Sequence, residues 1–271
     1  MPTLYLVATP IGNLEDVSRR ALRILGEVGL IAAEDTRKTK RLLTAYGIKT
    51  PLTSYHEHSG EAKLASLLSY LREKDVALVS EAGMPGMSDP GYELIVSAIQ
   101  QGIPVVSIPG PSALVDALVV SGLSTRQFTY LGFLPRKKGE RRHLLELMAA
   151  EPRTLVAFES PHRLQAALSD IVHVLGDRRI AVCRELTKLH EEVFRGTVSE
   201  AIEHFSQPRG EFTLVIEGKG KTDSPVVTEE IEIELHRLRA EGLTAREAIA
   251  CLSPATGISR KELYRAWLRL S

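Results

Sequence analysis

Apolar residues follow two rhythms along the first 120 positions. Short unbroken runs at 3–8, 30–33, 76–80 and 105–108 are too brief for a helix, so they predict strands buried on both faces. Between them the apolar positions fall three or four apart, at about Asp16 to Val28, Arg37 to Tyr46, Gly60 to Arg72, Tyr92 to Gln101 and Ser112 to Val120. That spacing predicts amphipathic helices, each long enough to carry a crossover between parallel strands. Right-handed strand–helix–strand units follow, and the fold class is α/β.

After Ser121-Gly122-Leu123-Ser124, a hinge by composition, the pattern resumes. Phe128 to Gly132, Thr154 to Phe158, Ile180 to Cys183, Val193 to Gly196 and Phe212 to Glu217 read as strands, with helices at about Glu140 to Ala149, His162 to Leu175 and Val198 to Phe205. Two of these strands lie close enough in sequence to form a hairpin. Gly218 to Val227 has linker composition. Three short helices then follow at Glu229 to Glu241, Thr244 to Leu252 and Ser259 to Leu270, with Thr244/Glu247 and Ser259/Glu262 spaced as capping boxes. The expected organisation is an amino-terminal α/β domain over 1–121, a second over 122–218, a linker over 219–227 and a helix-turn-helix-like module over 228–271.

Three strand ends lead into turns rich in glycine and proline. The richest is Ser80 to Gly91, with Gly83, Gly86 and Gly91, two prolines, and Glu81 and Asp89 as its only charges. Thr9-Pro10-Ile11-Gly12-Asn13 and Pro109-Gly110-Pro111-Ser112-Ala113 end two other strands. Glycine lets a ligand approach the main chain, and the carboxyl ends of strands in open α/β sheets are where ligands sit. Each turn alone is an ordinary tight connection; the three together line one rim and form a crevice.

Composition narrows the function classes. The 271 residues, 44% of them apolar, suffice for two cores, and Lys+Arg and Asp+Glu both total 34, so only local clusters can point to a polyanionic partner. Cys183 and Cys251, and His56, His58, His162 and His190, lack metal-ligand spacing, so no metal is expected. No signal peptide or apolar run long enough to span a bilayer is visible, which predicts a soluble, cytoplasmic chain with no membrane partner. Dinucleotide, P-loop, nucleophile-elbow and zincin motifs are missing too.

Charge gathers in a few places. Glu34-Asp35-Thr36-Arg37 follows a strand and opens a helix, where the acids either favour the helix terminus or face the crevice. Arg184 to Glu192 packs ionisable groups densely after a strand. Arg136 to Arg142 carries five basic residues against Glu140, and Arg260, Lys261, Arg265 and Arg269 on the last helix face only Glu262. Both basic clusters are candidates to contact RNA, through Arg136, Lys137, Lys138, Arg141, Arg142, Arg260, Lys261 and Arg265.

Thr9 to Asp16, Glu34 to Arg37, Ser80 to Gly91, Pro109 to Ala113, Phe133 to Lys137, Glu159 to Arg163, Arg184 to Glu192 and Arg209 to Ile216 together resemble the small-subunit ribosomal RNA methyltransferases of the tetrapyrrole methylase superfamily, over nearly the whole chain. The resemblance implies two α/β domains with S-adenosylmethionine in the cleft between them, and methylation of a cytidine 2′-oxygen in the decoding region of 16S ribosomal RNA. It also implies a homodimer built through the amino-terminal domains. Carried over by position, it assigns cofactor contacts to Pro10, Ile11, Gly83, Met84, Met87, Ser112, Ala113, Phe158, Arg184, Phe212 and Thr213. Gly83-Met84-Pro85 stands where many relatives have Gly-Asp-Pro, so main chain near Met84 and Met87 is expected to replace the acid.

Methyl transfer to a ribose hydroxyl needs alignment and a group to take the proton. Asp35, Glu81, Glu185 and Lys188 are the candidates, with the Glu185/Lys188 segment and Asp35 preferred. Two other readings remain open: a methyltransferase acting on a tetrapyrrole or another small molecule, and a non-catalytic RNA-binding protein.

Overall fold

A strand with every side chain buried has to lie inside a sheet covered on both faces, and Val76–Val79 (β4) is such a strand. In the computed structural model, which describes residues 1–56, 59–220 and 227–269, β4 is the centre of a parallel sheet. Leu4–Val7 (β1), Leu30–Ala33 (β2), Leu52–Ser54 (β3) and Val105–Ile108 (β5) complete it, in the order β3-β2-β4-β1-β5. Arg19–Glu27 (α1), Thr36–Ala45 (α2), Glu61–Tyr70 (α3), Tyr92–Gln100 (α4) and Ala113–Val120 (α5) are the intervening helices.

β3 is the one strand of this sheet that the apolar pattern does not announce. It has three residues, none fully buried, and pairs only with β2, through Ile31 with Leu52 and Ala33 with Ser54. An edge strand needs no continuous apolar run, so tertiary pairing rather than hydrophobicity makes it extended.

The second sheet has order β6-β7-β10-β8-β9. Its strands are Phe128–Phe133 (β6), Thr154–Glu159 (β7), Arg179–Arg184 (β8), Glu192–Thr197 (β9) and Phe212–Ile216 (β10). β6 and β7 run parallel, β10 is antiparallel to both β7 and β8, and β8 and β9 form the antiparallel pair that the sequence spacing suggests. Lys138–Leu147 (α6), Pro161–Leu175 (α7) and Val198–His204 (α8) cover one face, closing a core of Leu145, Leu155, Leu164, Leu168, Phe205 and Leu214.

The other face of this sheet is covered by α5. Leu114, Ala117 and Leu118 pack with Val156, Ala181, Cys183 and Val215. The last helix of the first segment is thus the lid of the second sheet, and Met1–Gly218 forms one compact unit across the 121/122 boundary. This shared core fixes the rims of the two sheets against each other.

Lys219–Ser271 forms a separate unit. Glu229–Ala240 (α9), Ala245–Thr256 (α10) and Arg260–Arg269 (α11) close a small core of Leu235, Leu238, Ala248, Ile249, Ile258, Leu263 and Ala266. The Thr244/Glu247 capping box starts α10, and Gly257, at φ +69°, ends it in the left-handed conformation that glycine adopts without steric cost. Most of the expected 219–227 linker, His58 and the end of the last helix at Leu270 lie outside the described residues.

Candidate active site

Because β4, β1 and β5 are neighbours, the three glycine- and proline-rich turns that follow them share one rim. Thr9 and Gly83 exchange backbone hydrogen bonds, Thr9 N to Gly83 O at 2.9 Å and Gly83 N to Thr9 O at 3.0 Å, which ties the first turn to the richest one. Gly83 sits at φ +77°, a conformation that side-chain-bearing residues rarely hold. Opposite this rim stand the ends of β6 and β7 and the start of β10. Between them lies a cleft of about 450 Å³.

Ile11, Gly83, Met84, Met87, Ser112, Ala113, Phe158, Phe212 and Thr213 line this cleft, so nine of the positions expected to meet a cofactor converge there. Pro10 and Arg184 are not among its lining residues. Arg184 is ion-paired with Glu192 at 3.0 Å. Phe158 forms an apolar wall, with Tyr130 at a centroid distance of 5.4 Å and Phe133 at 5.5 Å.

The polar lining is acidic: Glu34, Glu81, Asp89, Glu159 and Glu211, without a lysine, arginine or histidine. Burial, then the negative charge of Glu34, pushes Asp89 up to about 6 against a stabilising hydrogen bond from Ser80. The backbone N–H of Glu81 donates to Glu34 Oε2 at 2.9 Å, and Ser88 in the glycine-rich turn and Tyr130 on β6 share a hydroxyl hydrogen bond of 2.7 Å. Glu159 is 1% exposed. One of its oxygens meets Ser160 N at 2.7 Å and Arg163 at 2.7 Å, whereas buried Oε2 has no hydrogen-bond partner. Burial raises its pKa, opposed by Ser160 and by the charges of Arg163 and Arg141. An unpartnered carboxylate oxygen in an apolar-walled cleft is an acceptor ready for a ligand's N–H or positive charge.

The four catalytic candidates are placed unequally. Glu81 lines the cleft, with Lys38 bound to its carboxylate. Asp35 does not line it: its carboxylate caps α2 by accepting from Arg37 N and Lys38 N, and these bonds hold its pKa low. Glu185 and Lys188 also lie outside the lining. Lys188 Nζ bridges Glu185 at 2.9 Å and Glu211 at 3.0 Å, and Glu211 N donates to Glu185 Oε1 at 2.9 Å. Burial works against both charges, but the pairing outweighs it, lowering Glu185 and raising Lys188. A Cβ on Gly12 would stand 2.3 Å from Lys188 Cγ, so this network braces the first turn and holds Glu211 at the cleft. Glu34, Asp89, Glu159 and Glu211 escape the sequence-based candidate list. Asp89, in the glycine-rich turn, had the clearest available signal.

One basic candidate is corrected. Arg141 is 4% exposed, so it is no surface contact for RNA. Its guanidinium donates to Asp170 Oδ2 from Nε at 2.9 Å and from Nη2 at 2.5 Å, and to the carbonyls of Pro135 and Arg136. Arg142 Nε takes the other oxygen of Asp170 at 2.7 Å, and Lys137 pairs with Glu140 at 3.0 Å. Arg136 and Lys138 remain exposed, as do Arg260, Lys261 and Arg265 on α11. Among the described residues no helix is long and apolar enough to cross a membrane, and no group of three or more His, Cys, Asp or Glu side chains is arranged to hold a metal ion.

Comparison with known proteins gives this geometry a context. The family described as Tetrapyrrole (Corrin/Porphyrin) Methylases matches residues 3–202. A protein of Halalkalibacterium halodurans named ribosomal RNA small subunit methyltransferase I is 48% identical, over 98% of this chain and 94% of that protein. Its namesake in Thermotoga maritima is 52% identical, over 81% of this chain and 100% of that protein. Among solved structures, cobalt precorrin-4 methyltransferase superposes with a TM-score of 0.60 at 18% identity, covering 79% of this chain and 94% of the other. Uroporphyrin-III-C-methyltransferase of Thermus thermophilus superposes with a TM-score of 0.55 at 22% identity, covering 80% of this chain and 94% of the other.

Proposed function

The chain belongs to the tetrapyrrole methylase family and, within it, to the ribosomal RNA small subunit methyltransferase I proteins, and from that membership we propose that it methylates the 2′-oxygen of a cytidine ribose in the decoding region of 16S ribosomal RNA, using S-adenosylmethionine bound in the cleft between its two sheets. The charge of the cleft carries this reading. Five acidic residues and no basic one line it, three of them paired from outside the lining by Lys38, Arg163 and Lys188, and the cofactor is a cation at its sulfonium and its ammonium. The partnerless Glu159 oxygen offers such a group an acceptor. The residues present fit the cofactor.

Bound there, S-adenosylmethionine supplies an electrophilic methyl group on a charged sulfur. The chain's task is to position and deprotonate the acceptor. Ile11, Phe158 and Phe133 exclude water from the walls, while main chain at Gly83, Met84, Ser112 and Ala113 offers polar groups close to the ligand. A ribose hydroxyl is a weak nucleophile and needs a base in the cleft. Asp89 fits that role better than Glu81, because Lys38 neutralises Glu81 whereas burial, and then the charge of Glu34, keep Asp89 a stronger base than an ordinary carboxylate. Lys188 and Glu185 act as positioning residues through Glu211.

A homodimer is part of the same proposal. Tyr92 and Ile99 on α4, and Val115 and Val119 on α5, are 72%, 59%, 50% and 68% exposed, apolar side chains on two helices that a second copy would cover. Light scattering across a dilution series tests it, and a strictly monomeric chain ends that part of the proposal. The activity is tested with tritiated S-adenosylmethionine and small ribosomal subunits lacking the modification, followed by nucleoside analysis. A 2′-O-methylcytidine product is expected. No transfer, with cofactor binding intact, rejects the acceptor.

A further inference from the structure

The acidic cleft poses a problem for an RNA enzyme. No lysine, arginine or histidine lines it and the cations beside it are already paired, Lys38 with Glu81, Arg163 with Glu159 and Lys188 with Glu211, so a polyanion meets no uncommitted cation there and its attraction has to be provided on another surface. The Lys219–Ser271 unit has such a surface. A concavity of about 730 Å³ lies where the first turns of α10 and α11 meet, with Arg246, Arg260, Lys261 and Tyr264 around it and Ile249 and Ala250 in its lining.

The capping chemistry of the two helices explains why these cations are uncompensated. Glu247 and Glu262 are the acids beside them in sequence, and both are committed to caps. Glu247 Oε2 accepts from Thr244 N at 2.9 Å and from Thr244 Oγ1 at 2.7 Å; Glu262 Oε2 accepts from Ser259 Oγ at 2.7 Å. Two other arginines of the unit are handled differently. Arg237 pairs with Glu234 at 2.7 Å and with Glu241 at 2.9 Å, and Arg239 lies 5.5 Å from the centre of the Trp267 ring. Arg246, Arg260 and Lys261 make no side-chain hydrogen bond or ion pair among the described residues.

Two further features suit a nucleotide. Tyr264 is 49% exposed and its ring has no aromatic or cationic partner among the described residues, and aromatic faces stack on bases without regard to sequence. Pro254 has no N–H to return to the Ala250 carbonyl, which leaves an acceptor in the lining. Phosphate donors, a stacking surface and an acceptor together describe a nucleotide better than a lipid headgroup.

We infer that this concavity is a binding site for a single-stranded segment of the substrate RNA, with phosphates on Arg246, Arg260 and Lys261 and a base on Tyr264. It rests on the RNA reading of the function and adds where the polyanion is gripped. The site raises affinity for substrate and takes no part in methyl transfer.

The test uses the full chain and a fluorescein-labelled single-stranded RNA decamer, followed by anisotropy from low to moderate salt. The triple variant Arg246→Ala/Arg260→Ala/Lys261→Ala should bind at least about 10-fold more weakly, and its log–log salt slope should be shallower by about 2, since each single-strand phosphate contact contributes about 0.7. Tyr264→Ala should lose about 5- to 100-fold, with Tyr264→Phe restoring most of it. With small subunits as substrate the triple variant should raise KM while leaving kcat within about twofold. Wild-type decamer affinity and salt slope in the triple variant would overturn the inference. So would tight binding of phosphatidylserine vesicles by a wild-type chain that ignores the decamer. The decamer experiment needs no turnover, so a failure of methyl transfer to subunits rejects the functional reading without deciding this one.

Discussion

The basic segments 136–142 and 260–265 look alike in sequence and are used in opposite ways. In the first, Asp170 on α7 reaches both Arg141 and Arg142, and Glu140 takes Lys137. In the second, the adjacent acid Glu262 is drawn into a helix cap, and the cations stay bare. A charge run becomes a surface field only when its acids are engaged elsewhere. The same holds for carboxylates. Burial pushes Asp170 up, but hydrogen bonds and charge from Arg142 and Arg141 outweigh it and hold the carboxyl below the usual range. Asp89, buried without a cation and beside another acid, goes the other way, to about 6.

The sharpest break between the two basic segments concerns stability. Asp170→Ala leaves the 4%-exposed Arg141 without its counter-charge, and removing one partner of a buried pair costs about 3–5 kcal/mol. Arg260→Ala, on the surface, should stay within about 0.5 kcal/mol of the parent. Urea unfolding measures both, and equal effects would erase the distinction. Because the folded pKa of Asp170 is lowered, its contribution is present above the unfolded value and is lost as pH falls through the folded one. The gap between parent and Asp170→Ala should therefore close in acid.

Arg141 also marks where sequence reading stops. The strands and helices were legible because buried runs and three-to-four spacing report local geometry; only the short, polar edge strand β3 gave no such signal. The cleft's turns were legible because glycine and proline restrict the backbone wherever they stand. Partnership across the chain was not. Asp170 lies 29 residues from Arg141, and nothing in either neighbourhood announces the pair. Asp35 shows the converse: an acid opening a helix was more simply a cap, and the cap is what formed. Glu159 was visible only as part of a helix-start motif, since neither its burial nor its open oxygen has a sequence signature.

The contrast between Asp170 and Asp89 is tested next. Asp89→Asn should lower kcat by about 100-fold, the low end for loss of a general base because water can take over in part. The parent's rate should fall as pH drops below about 6, where Asp89 binds a proton, and the variant should lose that limb. Its stability should move in the opposite direction. Ionised Asp89 is disfavoured in the fold, so Asn raises Tm at pH 8, with the gain shrinking as pH falls through 6 towards the unfolded carboxyl's range. A variant with the parental pH profile would remove Asp89 from the chemistry.

Gly83→Leu should have a smaller effect. An added Cβ meets nothing closer than Ile11 Cγ2 at 3.5 Å, so the cost comes from φ +77° and from bulk in the cleft. Strain of about 1–3 kcal/mol at that turn should weaken S-adenosylmethionine binding by about 10- to 100-fold in calorimetry. Unchanged affinity would take the turn out of the cofactor site.

The smallest expected effect returns to the first basic segment. With Arg141, Arg142 and Lys137 engaged by acids, Arg136 and Lys138 are what that stretch can offer a phosphate. Arg136→Ala/Lys138→Ala should therefore weaken decamer binding by only about 2- to 3-fold, with a salt slope shallower by no more than about 1.4, the value expected when two phosphates are deprived of their cations. Arg246→Ala/Arg260→Ala/Lys261→Ala should lose more, because its cations converge on a stacking ring whereas Arg136 and Lys138 flank paired neighbours on a helix start. If the order were reversed, the RNA would be gripped on the 136–142 side despite its internal pairing. Sequence charge density would then have been the better guide than the pairing of each cation.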